Sequence, residues 1–140
     1  MNSYEAVLFD LYGTLVDGRG EPIDGAARLL EQVHGSRWAI VTSCPQRLAL
    51  GLMRNAGLPS PTVLVTSDDV SRGKPAPECY LLAAERLGAD PRGCLVLEDS
   101  THGVQAARAA GMDVINVSEV ALRDLAVDID RSNGRITVRR

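Results

Sequence analysis

Short apolar runs punctuate the chain: Ala6-Val7-Leu8-Phe9, Trp38-Ala39-Ile40-Val41, Val63-Leu64-Val65, Cys94-Leu95-Val96-Leu97 and Val114-Ile115-Asn116-Val117. Each is continuous rather than alternating, the pattern of a strand buried on both faces. Helical spacing fills the intervals. Asp24 is placed to cap a helix to about Val33, with Ala27, Leu30 and Val33 on one face. Gln46 to Ala56 carries Leu48, Leu52, Met53 and Ala56 at helical spacing and stops at Gly57 and Pro59. A third helix opens with Pro77 and runs through Leu81, Leu82 and Leu87 to Gly88. A fourth, Thr101 to Ala110, ends at Gly111 as its C-cap. Strands alternating with single helices predict an α/β fold, a Rossmann-like three-layer sandwich around a central parallel sheet. The tail differs. Ala126–Asp130 and Arg135–Arg139 alternate with period two around Ser132-Asn133-Gly134, which predicts a C-terminal β-hairpin. Its charges, Arg135 and Arg139 among them, belong on a solvated face or sheet edge.

Composition narrows the class. With 140 residues, 45% hydrophobic and 24% charged, the chain reads as a single soluble domain over residues 1–140, large enough for a core without staples. Fifteen Lys+Arg against 18 Asp+Glu give a net charge of −3, and aromatics are 4%, so nothing points to nucleic acid or a base-stacking platform. No apolar run approaches the roughly 20 residues of a membrane span, and the N-terminal stretch lacks a basic leader pattern. The expected location is cytoplasmic. Cys44, Cys79 and Cys94 are odd in number, with no C-x-x-C pair, and read as reduced thiols. His34 and His102 are isolated from each other and from the cysteines.

In an open parallel sheet, ligands bind beyond the C-terminal strand ends. Those ends carry Asp10-Leu11-Tyr12-Gly13-Thr14, Thr42-Ser43 and Glu98-Asp99-Ser100, while Lys74 lies in the loop after the third strand. Three converging carboxylates repel unless a cation joins them, and an all-oxygen set selects a hard ion such as Mg²⁺. A lysine beside them balances a second anion, for which phosphate is the commonest candidate. His102 and Arg47 lie near these segments, with a helix start and a solvated face as their plainer explanations.

The ordered set resembles the haloacid dehalogenase-like (HAD) hydrolase superfamily. Phe9-Asp10-Leu11-Tyr12-Gly13-Thr14-Leu15-Val16-Asp17 is similar to its first motif and Val41-Thr42-Ser43 to its second. Gly73-Lys74-Pro75-Ala76-Pro77 is similar to the third, and Leu97-Glu98-Asp99-Ser100 with Gly103 to the fourth. The resemblance spans about Glu5 to Val117 and is greatest, from Gly73 to Met112, to the sugar-phosphatase and β-phosphoglucomutase branch. It implies that Asp10 is a nucleophile forming an aspartyl-phosphate. It implies Mg²⁺ held by Asp10, Asp99 and the backbone carbonyl of Tyr12, with Glu98 joining directly or through water. Thr42 would hydrogen-bond a phosphoryl oxygen, helped by backbone N–H groups near Leu11 and Ser43, and Lys74 would offset the negative charge.

Two departures qualify the match. Family phosphatases usually carry a second aspartate, the general acid/base, where this chain has Tyr12. A phenol can donate a proton but is a poor base at neutral pH, and losing a general acid/base removes about 10²–10⁴ in rate. Tyrosine there also resembles the haloacid dehalogenases, in which a halide leaves without a proton. Against that reading stand the acidic pair Glu98-Asp99 and Cys44 in place of the asparagine those enzymes carry. The second departure is size: between Asp17 and Arg37 there is no room for the helical cap domain of the sugar-phosphatase relatives. A capless site is open. The leading expectation is therefore a slow Mg²⁺-dependent phosphohydrolase acting on phosphate monoesters, macromolecular ones included. A phosphate- and Mg²⁺-binding or scaffolding protein is the alternative, and a 2-haloacid dehalogenase the second. A neighbouring copy serving as lid leaves a homo-oligomer open; neither nucleic acid nor membrane is expected.

Overall fold

The computed structural model describes residues 2–140; Met1 lies outside them. Five parallel strands form the central sheet: β2 (Ala6–Phe9), β3 (Trp38–Val41), β4 (Val63–Val65), β5 (Cys94–Glu98) and β6 (Asp113–Asn116), in the order β4-β3-β2-β5-β6. In β2 the register sets Val7 beside Trp38 on one side and Leu95 on the other. Alternation along the central strands divides the core in two. Val7, Phe9, Trp38, Ile40, Leu95 and Leu97 face one way; Ala6, Leu8, Ala39, Val41, Cys94 and Val96 face the other. Continuous apolar runs are what a strand needs when both of its faces are covered.

Helices α1 (Ala26–Val33) and α2 (Gln46–Asn55) cover the first face through Leu29, Leu30, Val33, Ala49 and Met53. Helices α3 (Glu78–Leu87) and α4 (Thr101–Ala109) cover the second through Cys79, Tyr80, Ala83, Ala84, Ala106 and Ala107. Phe9 and Trp38 meet edge to face, 6.1 Å apart at 87°, an arrangement worth about 0.5–1.5 kcal/mol beyond its burial. The three-layer α/β architecture is the one the periodicity predicts.

Several details differ from expectation. Asp24 does not cap α1: Gly25 is the N-cap, in a left-handed conformation (φ 93°), with no side-chain cap bond. A Cβ on Gly25 would lie 2.6 Å from the Arg123 nitrogen. Close packing against the Leu122–Asp124 turn sets this helix start, and Arg28 donates to the carbonyls of Leu122 and Arg123. Ala27 points outward, because the buried face runs through Ala26 and Leu29 instead. Leu48 (51% exposed) and Leu81 (41%) are also outside, since Ala49 and Tyr80 take the inward positions. The edge strands β4 and β6 are only partly buried, as each has a neighbour on one side alone. The last strand begins at Asp113 rather than Val114 and ends at Asn116, in register with β5 from Leu95 to Glu98.

The tail forms the expected hairpin, β7 (Ala126–Ile129) with β8 (Ile136–Arg139), but the N-terminal β1 (Ser3–Tyr4) adds to it as a third antiparallel strand. Ile136 and Val127 reach the first core, so this sheet is packed rather than appended. Its charges pair at the surface: Arg139 binds Asp128 at 2.8 Å, and Arg135 donates to Ser3. Between Asp17 and Arg37 lie a turn closed on the Asp17 carboxylate, helix α1 and a short connection. Among the described residues, no helix is long and apolar enough to cross a membrane.

The three thiols are free. Burial pushes Cys79 up and Cys94 up to about 12, whereas Cys44 is half-buried. A thiolate is the reactive form, so a chromogenic disulfide at neutral pH should titrate Cys44 quickly in the native protein, and the other two only in denaturant. Two fast native thiols would contradict this packing.

Candidate active site

Three adjacent strands deliver the site. Asp10 follows β2, its N–H donating to the Leu97 carbonyl at 3.0 Å, which keeps the backbone between β3 and β5 one residue past the strand. The chain then turns back: the Leu11 carbonyl accepts from the N–H groups of Thr14, Leu15 and Val16, and Gly13 donates to Val16 at 2.7 Å. Gly13 sits at φ 89°, and a Cβ there would fall 2.3 Å from Asp99 Oδ2. Only glycine permits both this backbone and this approach. The turn brings the buried Thr14 hydroxyl to 3.1 Å from Asp10 Oδ2 and 3.0 Å from Asp99 Oδ1.

Thr42 follows β3, and its Oγ1 accepts from the Cys44 N–H at 3.1 Å. Among the described residues that hydroxyl donates no hydrogen bond, which leaves its proton available to a ligand. Strand β5 ends at Glu98, which is wholly buried. Glu98 Oε2 accepts from Lys74 Nζ at 2.9 Å and Tyr80 Oη at 2.7 Å, and Oε1 from Asp99 N, Ser100 N and Ser100 Oγ. Gly103 makes room for it: a Cβ there would lie 1.9 Å from the Glu98 carboxyl carbon. Ser100 caps α4 by accepting from Gly103 N.

Lys74, from the loop between β4 and α3, reaches under the strand ends. It donates to Asp10 Oδ1 at 2.8 Å, Glu98 Oε2 at 2.9 Å and the Val41 carbonyl at 3.1 Å. Burial raises Asp10 well above the ordinary carboxylate range, Lys74 opposing and Glu98 adding to the rise. Burial acts the same way on Glu98, but the Lys74 charge and the hydrogen bonds from Tyr80 and Lys74 outweigh it, so Glu98 is held low. Lys74 is raised: burial disfavours its charge, yet Asp10 and Glu98 together win. Tyr80 is pushed well up by burial and by the charges of Glu98 and Asp10, and is a firm proton donor.

A cation fits beside these groups. One oxygen each from Asp10, Glu98 and Asp99 lie within 4.8 Å of one another. The single proton of the Thr14 hydroxyl cannot serve Asp10 and Asp99 at once, so that carboxylate pair has an unmet demand for positive charge. An all-oxygen donor set of this kind suits a hard divalent ion.

The sequence-predicted Asp10, Lys74, Glu98 and Asp99 therefore meet, and Thr42 flanks them. Leu11 is buried in the core and offers the site only its backbone. Ser43 lines a cavity of about 300 Å³ with Lys74, Ser100, Thr101 and His102. Tyr12 is 52% exposed, outside the carboxylate hydrogen bonds, with its hydroxyl on the Gly18 side of the turn. Arg47 lines a different hollow on the outer side of α2, and Arg135 and Arg139 are engaged on the small sheet. Thr14 and Tyr80 are the residues to which sequence reasoning attached no role. Tyr80 left a trace, as the one polar-tipped large side chain on an inward face otherwise made of Cys79, Ala83, Ala84 and Leu87.

The chain is similar to several known proteins. The family profile described as haloacid dehalogenase-like hydrolase matches residues 19–111, an interval containing Thr42, Lys74, Glu98 and Asp99. Hexitol phosphatase A of Escherichia coli (strain K12) is 46% identical over 101 residues, 71% of this chain and 47% of its own length. Fructose-1-phosphate phosphatase YqaB of the same organism is 43% identical over 86 residues, 60% of this chain and 46% of its own. The chain thus spans about half the length of these curated relatives. Among solved structures, a HAD family hydrolase from Deinococcus radiodurans R1 with bound phosphate and sodium superposes with a TM-score of 0.73 at 26% identity, covering 79% of each chain.

Lys74→Met would leave two buried carboxylates facing each other, and chemical denaturation at neutral pH should record a loss of about 3–5 kcal/mol. Adding Asp10→Asn should restore part of it, because one of the two charges is gone; no recovery would refute the pairing. Gly103→Ala should cost at least about 2 kcal/mol through overpacking against Glu98.

Proposed function

The chain belongs to the haloacid dehalogenase-like hydrolase family, and from that membership we propose that it is a phosphohydrolase acting on phosphate monoesters. The observation that carries the reading is Lys74, held 2.8 Å from Asp10 Oδ1, with Asp99 sharing the Thr14 hydroxyl with the same aspartate. A lone carboxylate at a strand end is common; one flanked by an ammonium and a second carboxylate is equipped for phosphoryl transfer.

In this mechanism an Asp10 oxygen attacks phosphorus while the bond to the leaving oxygen breaks, giving an aspartyl-phosphate that water then hydrolyses. Thr42 donates its hydroxyl proton to a phosphoryl oxygen, and the backbone N–H groups near Leu11 and Ser43 supply further donors. Lys74 fixes the Asp10 carboxylate and offsets the charge gathered around it. Mg²⁺, with Asp10, Asp99 and the Tyr12 carbonyl as ligands, would supply further positive charge against the phosphoryl group. Glu98 acts chiefly through Lys74, because both its oxygens are already engaged inside the protein.

Tyr12 takes the position of the family's general acid/base. It can give a proton to a leaving oxygen but is poorly suited to take one from water, so the second half-reaction is the slow one. Among the described residues only a turn, helix α1 and a short connection lie between Asp17 and Arg37, which on this reading leaves the site open to large phosphorylated molecules as well as to sugar phosphates, of which fructose 1-phosphate gives one relative its name. The rival reading, a phosphate- and Mg²⁺-binding protein with little turnover, draws on the exposed Tyr12 and on the missing cap.

Hydrolysis of p-nitrophenyl phosphate, whose leaving group needs little protonation, should depend on Mg²⁺ and vanish in Asp10→Asn. Tyr12→Asp should raise turnover at least about tenfold, part of the 10²–10⁴ that a general acid/base contributes. A folded wild type and a folded Tyr12→Asp that are both inert with Mg²⁺ would overturn the phosphohydrolase reading.

A further inference from the structure

Lys74 has three ammonium protons, and the protein accepts all three: Asp10 Oδ1 at 2.8 Å, Glu98 Oε2 at 2.9 Å and the Val41 carbonyl at 3.1 Å. Lys74 also lines the cavity shared by Ser43, Ser100, Thr101 and His102. A phosphoryl oxygen entering that cavity finds no free proton on Lys74. Contact with it requires the ammonium to let one acceptor go.

The three acceptors differ in what release leaves behind. Asp10, released, would lose the contact that orients it. Val41 is completely buried, so its carbonyl would have no water to turn to. Glu98 Oε2 alone has a second donor in place, the Tyr80 hydroxyl at 2.7 Å, while Oε1 keeps its three donors from Asp99 and Ser100. Trading a carboxylate oxygen for a phosphoryl oxygen also exchanges one anion for another around the ammonium.

We propose that Tyr80 is a positioning residue that makes Glu98 the expendable partner of Lys74, so that the ammonium turns from Glu98 to an incoming phosphoryl group. The inference rests on the phosphohydrolase reading above and deepens it. Tyr80 acts through Glu98 and Lys74, not on the substrate. It is fully buried on the inward face of α3, which fixes its hydroxyl on Glu98 whether or not Lys74 is there. Its ring centroid lies 5.2 Å from Nζ, close enough for the ring to keep the cation at hand as it turns. Gly103 completes the seat by admitting the Glu98 carboxylate against α4.

Tyr80→Phe keeps the ring and deletes the hydroxyl. Tyr4→Phe is the matched control: its hydroxyl donates to Asp113 at 2.7 Å, at the β6 edge. The probe is inorganic phosphate in the presence of Mg²⁺, followed by titration calorimetry and by the rise in Tm. Wild type should bind it, Tyr80→Phe at least about fivefold more weakly, because the turning lysine would strand a buried carboxylate oxygen. Tyr4→Phe should lose basal Tm but keep the wild-type affinity. Equal affinity in Tyr80→Phe and wild type overturns the inference and leaves the phosphohydrolase reading intact, as does an equal weakening in Tyr4→Phe. A wild type that binds no phosphate overturns both. Should Tyr80→Phe not fold, wild type carrying 3-fluorotyrosine, assigned with Tyr4→Phe and Tyr12→Phe, reports the same event: a Tyr80 resonance unmoved by phosphate refutes the exchange.

Discussion

A single buried ammonium organises this molecule's chemistry. Lys74 bridges Asp10 and Glu98, two carboxylates that burial alone would keep from ionising side by side. Its charge makes their proximity tolerable, and its third proton ties the pair to the end of β3 through Val41. The neighbouring features serve the same arrangement: Tyr80 and the start of α4 saturate Glu98, and Gly13 and Gly103 withhold the methyl groups that would displace Asp99 and Glu98. A buried ion pair is rarely retained for stability, since an apolar replacement of similar size is often neutral. Here the cost of burying three charges is repaid in orientation of Asp10.

The parallel sheet is what allows the charges to meet. Because β2, β3 and β5 are adjacent and run the same way, Asp10, Thr42 and Glu98 emerge at one edge without any loop having to place them. Lys74 arrives from a longer loop, and it is anchored by three hydrogen bonds. Helices on both faces exclude water beneath the site, which strengthens each of these contacts. The small antiparallel sheet stands on the α1 side, where Ile136 and Val127 extend the first core, and it contributes no residue to the carboxylate cluster.

Tyr12 and the short segment after Asp17 give the site its individual character. The phenol stands outside the carboxylate cluster, exposed, while Asp10 and Glu98 are buried. Under the proposed phosphohydrolase mechanism, a site arranged this way would bind and polarise phosphate with less provision for the proton transfers of hydrolysis. That combination is consistent with slow turnover and with access for substrates larger than a closed pocket would admit.

By itself the sequence determined the layer architecture and which charged side chains gather at the strand ends. Two-sided strands need uninterrupted apolar runs, and residues at their C-terminal ends share one edge of a parallel sheet, so Asp10, Thr42, Lys74, Glu98 and Asp99 could be grouped before any coordinates. Helix phase was less legible: Leu48 and Leu81 face outward although their spacing suits a core, because Ala49 and Tyr80 take the positions turned to the sheet. The start of α1 was set by Gly25 packing on Arg123, a contact spanning about a hundred positions that no local capping rule contains. Likewise β1 could not be seen to join β8, since a two-residue strand carries no period. Only the tertiary structure decided that Thr14 lies between two aspartates, that Tyr80 serves Glu98, and that Tyr12 stands apart from both. The physical reason is the same in each case: periodicity reports which face a residue takes, whereas hydrogen-bond partners are chosen by angstrom-scale distances between segments far apart in the chain.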